Sequence, residues 1–291
     1  VFEPEFGVTR REPSDIVEVD GTYYCWYTRV EDDDPEYPGA YGGTVWYATS
    51  PDGHEWTEQG EALPAGESGA WDEYGAFTCN VLVSGGTYYL FYTGVPAPFS
   101  GDYEDATETA IGVASAPGPE GPWTRHGRVL EPGESGAWDD FRVDDACLLE
   151  RDGEFLLYYK GVTKFQADWA AHTPHGLAVA DDPTGPYERV PENPVYDRGH
   201  ADALFPYGEG IGALVQGDGF WYSSDGREFH RRESIDRDPW APGAYREDDG
   251  VRWGLSQARL DRQECAASTE STLYLVRFDC DLTVDSLGGE R

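Results

Sequence analysis

The sequence repeats one pattern of apolar and polar positions: a short apolar strand, a glycine-containing turn, and a strand that ends in Tyr-Tyr or Trp-Tyr. The pattern occurs as EPSDIVEVDGTYYCWYTR from Glu12, GAFTCNVLVSGGTYYLFYTG from Gly75 and FRVDDACLLERDGEFLLYYKG from Phe141. Short runs rich in β-branched and aromatic residues, bounded by Gly, Asp and Asn, indicate strands joined by hairpins. The repeat therefore predicts three copies of one β-hairpin.

Each hairpin continues into a third strand and a turn, and in four units an aromatic residue follows that turn. These aromatic residues are Trp56, Trp123, Tyr187 and Phe229. The segment GESGAWD also stands twice, at Gly66–Asp72 and Gly133–Asp139. A repeated four-stranded module is typical of a β-propeller, whereas a β-sandwich gives no reason for the copied segment.

Five such modules in 291 residues give about 58 residues per blade, which leaves room for long loops. We therefore predict an all-β fold, a five-bladed β-propeller that forms one catalytic domain over residues 1–291 with a pocket on its axis. The last module, VRWGLSQARLD with STLYLVRFDCDL, is expected to close the ring together with Val1–Arg10.

Four connections are long for a compact domain, and long loops are often functional. They are Glu31–Gly43, Val95–Thr109, Thr163–Pro174 and Glu233–Asp249. Aromatic side chains on such loops either stack on sugar rings or hold the loops in place. These residues are Phe99, Tyr103, Phe165, Trp169 and Trp240.

The charge of the chain limits its partners. It has 56 Asp and Glu against 21 Lys and Arg, a formal net charge of −35. A field of this sign repels phosphate, which argues against nucleic acids and anionic membranes as partners. No run approaches the roughly 20 apolar residues of a membrane-spanning helix. Because 14% of the residues are aromatic, we expect a folded protein of a halophile rather than a disordered acidic chain.

Five cysteines form no CxxC pair and leave one residue over in any disulfide scheme. They are Cys25, Cys79, Cys147, Cys265 and Cys280. We expect buried free thiols in a reducing compartment. This favours a cytoplasmic location, with secretion into brine as the alternative.

Polar residues at the start of each blade's first strand should converge on the propeller axis. Blade 1 offers Glu12 and Asp15, blade 3 offers Asp144 and Asp145, and blade 4 offers His200 and Asp202. The same place in blade 2 holds Thr78, Cys79 and Asn80, and blade 5 offers Ser256 and Gln257. Matching positions on several blades point to one polar centre.

Two such groups facing each other suit inverting hydrolysis of a glycosidic bond, with a base that activates water and an acid roughly 6.5–9.5 Å away. A third carboxylate raises the pKa of that acid, or favours the imidazolium form when the acid is His200. The chain has no GxSxG, HExxH or Walker motif. For His172 and His175, a substrate contact or a place in a surface loop is a better explanation than zinc binding. We predict no required cofactor; a divalent cation in the central channel stays open.

These motifs resemble the five-bladed β-propeller glycoside hydrolases of families 43 and 117. The resemblance runs from about Arg10 to Leu282 and is most specific in YYKG, GHADALFPYGEGI and RWGLSQ. It is greater to family 117, the 3,6-anhydro-L-galactosidases that cleave α-1,3 linkages in neoagaro-oligosaccharides. The resemblance implies a general base at Glu12, a residue that tunes the site at Asp145 and a catalytic His200.

Three positions differ from the family 117 pattern. The base position holds Glu12 instead of Asp, with Asp15 as a substitute base. Asp145 is followed by Ala146 instead of Pro, and His200 is followed by Ala201 instead of a carboxylate. We expect an exo-acting, inverting glycosidase. The alternatives are a family 43-like α-L-arabinofuranosidase or β-xylosidase, with Asp202 or Glu209 as the acid, and a non-catalytic carbohydrate-binding propeller. A monomer and a homodimer both stay open.

The remaining predicted residues contact the oligosaccharide substrate. They are Asp144, Arg142, Asn80, Lys160, Trp169, His175, Asp202, Glu209, Trp240, Trp253 and Gln257.

Overall fold

The computed structural model describes residues 1–31, 42–98, 107–163, 173–235, 239–265 and 268–286, and the side chains of 262–270 lie outside this description. All regular elements in these ranges are β-strands. They are β1 (Val8–Arg11), β2 (Val17–Val19), β3 (Thr22–Glu31), β4 (Thr44–Ser50), β5 (Thr57–Leu63), β6 (Gly75–Ser84), β7 (Thr87–Val95), β8 (Ala110–Ala116), β9 (Thr124–Leu130), β10 (Arg142–Arg151), β11 (Glu154–Val162), β12 (Pro174–Ala180), β13 (Glu188–Arg189), β14 (Tyr196–Asp197), β15 (Ala203–Tyr207), β16 (Gly210–Val215), β17 (Gly219–Ser223), β18 (His230–Glu233), β19 (Trp240–Glu247), β20 (Gly250–Cys265) and β21 (Ser268–Thr283). Within the described ranges, no helix is long and apolar enough to cross a membrane.

The strands form five antiparallel sheets, the blades of a β-propeller. Blade 1 has the order β1-β3-β4-β5, with β2 also paired to β3, and blade 2 consists of β6 to β9. Blade 3 contains β10 to β13 with β14 beside β12, blade 4 contains β15 to β18, and blade 5 contains β19 to β21. The predicted all-β, five-bladed fold is confirmed.

The N-terminal segment takes part in closing the ring, as the sequence predicts, although its strand belongs to the first blade. β1 pairs with β3 in blade 1, and Thr272 Oγ1 of β21 donates to the carbonyls of Glu5 at 3.2 Å and Val8 at 2.9 Å. Ile16 also forms a parallel bridge with Tyr245, and the Ile16 N–H donates to the carbonyl of Ala244 at 2.9 Å. Both contacts join the last blade to the first.

The aromatic residues at the repeated turns fasten one blade to its neighbour. Trp123, Tyr187 and Phe229 each meet an aromatic ring of the preceding blade edge-on, with ring centroids 5.9–6.2 Å apart. Trp56 is buried in a cluster with residues of blade 5. The three ring pairs are Trp26 with Trp123, Phe91 with Tyr187, and Tyr158 with Phe229. The repeat in the sequence thus reflects a repeated contact between blades.

The first GESGAWD segment links β5 to β6 and places a buried carboxylate between strands. Asp72 accepts hydrogen bonds from the Tyr92 hydroxyl at 2.9 Å and from Arg125 Nε at 3.1 Å. Trp71 stacks on Tyr92 and covers Gly94, where an added Cβ would collide with the indole. The motif therefore packs this link against the blade it enters.

The second GESGAWD segment, between β9 and β10, makes the same contacts. Asp139 accepts hydrogen bonds from Tyr159 at 2.9 Å and from Arg189 Nε at 2.7 Å. Trp138 stacks on Tyr159 and covers Gly161. The copied segment is thus a structural link used twice.

The four cysteines whose side chains are described are free. Cys25, Cys79 and Cys147 are buried, and Cys280 is partly buried. Burial raises the pKa of the Cys25 and Cys147 thiols to about 12, so these thiols are protonated and unreactive.

Candidate active site

Bulged inner strands set the positions of the polar residues at the axis. In blades 2, 3 and 5 the pairing of the inner strand shifts register near the start of that strand, and in blade 1 the inner strand is interrupted between β1 and β2. Residues with positive φ occur there or just before: Glu12 (51°), Thr78 (47°), Asp145 (53°), Gly199 (78°) and Ala241 (48°). For a non-glycine residue this conformation costs of order 1–3 kcal/mol, and it clusters at functional sites. The bulges change which side chains face the axis.

Glu12 is held by side chains from three blades. Its carboxylate accepts hydrogen bonds from Arg11 Nη1 at 2.5 Å, Thr78 Oγ1 at 2.8 Å and Thr28 Oγ1 at 3.4 Å. Its backbone N–H donates to Gln257 Oε1 at 2.9 Å. The side chain keeps 13% of its surface exposed. Glu12 is therefore oriented and still open to a small molecule on one side.

Asp15 has a different environment. Its carboxylate accepts hydrogen bonds from the Ala244 N–H at 2.8 Å and from Asn80 Nδ2 at 3.1 Å, and it forms an ion pair with Arg246. The residue is buried. Both carboxylate oxygens thus hold blades 1, 2 and 5 together, which favours Glu12 over Asp15 as the residue that meets water.

Lys160 lies at the centre of the acidic residues of blade 3. It is buried on β11, and its Nζ donates hydrogen bonds to Asp145 Oδ2 and, at 3.2 Å, to His200 Nε2. Asp144 Oδ1 lies 3.2 Å from the same nitrogen. Four of the predicted residues therefore form one contiguous cluster.

The charge of Lys160 governs the titration of its neighbours. It is the largest cause that lowers the pKa of His200 to about 3; burial lowers the pKa further, and Glu12 opposes both. Burial raises the pKa of Asp144 to about 7 against the attraction of Lys160. The sequence predicted an imidazolium form stabilised by a carboxylate. The structure differs, because an ammonium group lies against the imidazole and keeps His200 neutral.

His175 and Asp202 form a second, fully buried layer behind this cluster. The His175 ring stacks on Tyr196 with centroids 4.6 Å apart, and its Nε2 lies 3.4 Å from Asp202 Oδ2. The Gln216 N–H donates to Asp202 Oδ1 at 2.8 Å. Burial raises the pKa of Asp202 to about 8 and lowers that of His175 well below its usual value. Both groups are therefore neutral at pH 7.

Two predicted substrate-binding residues are not part of this site. Glu209 lies in the turn between β15 and β16, at the far end of β15 from Asp202, and its backbone carbonyl accepts a hydrogen bond from Arg151. Trp253 packs against Tyr245 in the buried cluster between blades 1 and 5. The first is too distant, and the second is enclosed by neighbouring aromatic rings.

Other predicted residues lie around the rim. Trp240 begins β19 opposite Gln257 and is 38% exposed. Arg142 begins β10 and is buried, with Nε donating to the Thr107 carbonyl at 3.1 Å. Trp169 lies outside the described residues. Phe99, Tyr103, Phe165 and His172 also lie outside them.

Strand register shows which face carries the long connections. In blades 1 to 3 the second strand ends beside the beginning of the inner strand. The pairs are Val8 with Glu31, Gly75 with Val95, and Arg142 with Val162. The connections that follow these second strands therefore leave from the same face as the cluster around Lys160.

No group of three His, Cys, Asp or Glu side chains in the described part of the chain is arranged to hold a metal ion. The axial carboxylates of Asp15 and Asp145 instead contact Arg246 and Lys160. No step of the chemistry below uses a metal cation.

Comparison with known proteins identifies the family. The model of the Glycosyl hydrolases family 43 matches residues 7–166, more than half of the chain. The structure of Zg3597, a family 117 glycoside hydrolase produced by the marine bacterium Zobellia galactanivorans, is 32% identical, with 96% of this chain and 86% of that chain covered and a TM-score of 0.82. The chain belongs to the glycoside hydrolases of families 43 and 117. No match was found among curated proteins.

More distant structures share the fold of this glycoside hydrolase. The sucrose-6-phosphate hydrolase from Lactobacillus gasseri is 14% identical, with a TM-score of 0.65 over 96% of this chain and 64% of that one. A mutant of the α-L-arabinanase of Cellvibrio cellulosa is 14% identical, with a TM-score of 0.57 over 93% and 92%. These identities support the fold alone.

Sequence reasoning missed three residues at the axis of this glycoside hydrolase. Arg11 and Thr28 contact Glu12, and Arg246 pairs with Asp15. One signal was available for Arg11, since it directly precedes Glu12 in a chain with few cations. Nothing comparable marked the other two, because their contacts depend on the arrangement of neighbouring strands and blades.

Proposed function

We propose that this glycoside hydrolase releases a terminal sugar from an oligosaccharide with inversion at the anomeric carbon. The observation that carries the proposal is the meeting of Glu12 from blade 1, Asp145 and Lys160 from blade 3, and His200 from blade 4 at one end of the axis. A base and a proton donor from different blades fit direct attack by water.

In the proposed reaction Glu12 takes a proton from water as the oxygen attacks the anomeric carbon. The bond between the anomeric carbon and the glycosidic oxygen breaks, and His200 gives its proton to this leaving oxygen. Arg11 compensates the charge of Glu12, and Thr78 fixes the direction of its carboxylate. Asp145 holds Lys160 against His200. No residue needs to form a covalent intermediate.

The first substrate candidate is a neoagaro-oligosaccharide with a terminal 3,6-anhydro-L-galactose in α-1,3 linkage. The 32% identity to a family 117 enzyme across almost the whole chain supports this class. The side chain of Glu12 has one methylene more than the Asp of the family pattern, so the preferred sugar or linkage is expected to differ from that of the family.

The second candidate is an α-L-arabinofuranosidase or β-xylosidase, favoured by the family 43 match. Asp202 is then the acid, because its raised pKa of about 8 keeps its proton at neutral pH. Its side chain is only 1% exposed and lies against His175, which is unfavourable for direct contact with substrate. Glu209 is too distant to serve.

A substrate panel tests these candidates. Wild type is assayed on neoagaro-oligosaccharides and on aryl α-L-arabinofuranosides and β-xylosides. Glu12→Gln should lower kcat by about 10²–10⁴, as expected for loss of a general base. Glu150→Gln, an exposed residue near the other end of β10, is the matched control and should keep wild-type kcat. Oligosaccharide binding by wild type without any turnover would instead indicate a carbohydrate-binding protein.

A further inference from the structure

Lys160 is one of only two lysines in this chain, and it is buried beside His200. On β11 it stands in register with Asp144 of β10 and with His175 of β12. It therefore occupies the middle of blade 3, between two acidic residues and two histidines. A buried cation in such a place needs a reason, since burial alone disfavours the charged form.

The contacts of Lys160 fix the proton on its histidine neighbour. An ammonium group only donates hydrogen bonds, so an imidazole nitrogen 3.2 Å away must accept. His200 Nε2 therefore carries no proton. The proton of the neutral ring is on Nδ1, which is the only nitrogen left to face a substrate. A neutral imidazole is a weak acid by itself.

The surroundings of His200 support this state. Lys160 from β11 and Arg11 from β1 oppose a positive charge on the ring, and Glu12 favours it. Asp145 contacts Lys160 and holds that nitrogen in place. The pKa of His200 is accordingly lowered to about 3, so the ring is neutral over the physiological range.

We propose that Lys160 supplies the proton that His200 delivers to the leaving sugar. As the glycosidic C–O bond breaks, the leaving oxygen takes the proton from Nδ1, and Nε2 takes a proton from the Lys160 ammonium. His200 stays neutral with its proton moved from one nitrogen to the other, and Lys160 becomes a neutral amine. Glu12 gains the proton of the attacking water, so the total charge of the site is unchanged.

This relay rests on the proposed glycosidase function and sharpens it. It assigns Lys160 a role through His200 instead of direct contact with a sugar hydroxyl. An ammonium is a stronger acid than a sugar hydroxyl, and its ordinary pKa of about 10.4 lies well above that of an imidazolium. Activity should therefore persist above pH 8, where an enzyme that relies on imidazolium loses its acid.

The kinetic test uses Lys160→Gln and Lys160→Arg on two substrates that differ in their leaving group. With an oligosaccharide at pH 8, where His200 is neutral in both variants, both should lose about 100-fold or more in kcat, because neither glutamine nor arginine at this position can give up a proton. With the 2,4-dinitrophenyl glycoside of the same sugar, which needs no acid, both should stay within about threefold of wild type. Recovery in Lys160→Arg would show that only the charge matters and would overturn the relay.

A second readout does not depend on turnover. In ¹⁵N-histidine NMR spectra, the His200 signals, assigned by their loss in His200→Asn, should show a neutral ring protonated on Nδ1 from pH 5 to 8. In Lys160→Gln the same ring should titrate closer to its ordinary pKa of about 6.5. A wild-type His200 that titrates near 6.5, or that carries its proton on Nε2, overturns the relay.

The two readouts separate the relay from the proposed function. If wild type cleaves glycosides but Lys160→Gln keeps full kcat on the oligosaccharide, the relay fails and the glycosidase stands. If wild type cleaves nothing while His200 shows the Nδ1 tautomer, the glycosidase function fails and the relay falls with it.

Discussion

Replacing Asp15 by Asn tests whether this residue joins the first and last blades or takes part in catalysis, a question that the sequence left open. Asp15 is buried and pairs with Arg246 of blade 5, whose side chain is 18% exposed. Removing one partner of a buried pair typically costs about 3–5 kcal/mol. Because Arg246 keeps some access to water and Asn can still accept from the Ala244 N–H, we expect the lower limit, about 3 kcal/mol.

For a chain of this size, a loss of about 3 kcal/mol corresponds to a fall in Tm of roughly 6–12 °C. The assay is thermal and urea unfolding of Asp15→Asn beside kcat/KM measured well below its Tm. We expect kcat/KM to stay within about threefold of wild type while stability falls. Asp152→Asn, at a side chain 89% exposed, is the matched control and should change neither quantity.

Glu12→Gln should show the opposite behaviour, with activity lost and Tm nearly unchanged. The reasoning is refuted if Asp15→Asn is inactive at a temperature where it is fully folded and its Tm equals that of wild type. Asp15 would then be the base, and Glu12 a residue that supports it.

Three further predictions concern packing, pH and substrate turnover. Gly94→Ala should lower the free energy of unfolding by about 2 kcal/mol or more, because its Cβ collides with the partly buried indole of Trp71. Gly118→Ala, with open space around the added Cβ, should not lower it, and chemical denaturation measures both. The pKa of Asp202 is raised to about 8 in the folded protein from an ordinary 3.9, so its contribution to the free energy of unfolding is fully present below pH 4 and is lost as the pH rises through 8. Asp202→Asn should flatten the dependence of the free energy of unfolding on pH in this range. An unchanged slope in denaturation experiments at several pH values contradicts the assignment. Thr78→Val should lower kcat about tenfold with little change in KM, because Glu12 loses the donor that orients it. Steady-state kinetics measure both constants, and a kcat equal to that of wild type contradicts this role of Thr78.

The fold was predictable because its contacts repeat. Trp123, Tyr187 and Phe229 occupy equivalent places in sequence and equivalent contacts between blades. The two GESGAWD segments likewise use Asp72 and Asp139 in the same way. Alternating apolar residues and repeated segments follow from strand and turn geometry, so both can be read from a single sequence.

The site was only partly predictable, because it depends on departures from that geometry. The end of β1 before Glu12 and the bulge at Asp145 set the directions of these side chains, and nothing in the alternation of apolar and polar residues marks a positive φ. Glu12 and Asp15 therefore looked equivalent in sequence, although one meets the axis and the other meets Arg246. The place of Lys160 against His200 depends on how blades 3 and 4 meet.

The most direct test of the central claim is the stereochemistry of hydrolysis. A ¹H NMR time course with an oligosaccharide that wild type cleaves should show the inverted anomer of the released sugar first, followed by slow mutarotation. Glu12→Gln should give no signal of that sugar on the same timescale while it still binds the substrate. First appearance of the retained anomer, or an undiminished rate in Glu12→Gln, would contradict an axial site in which Glu12 activates water.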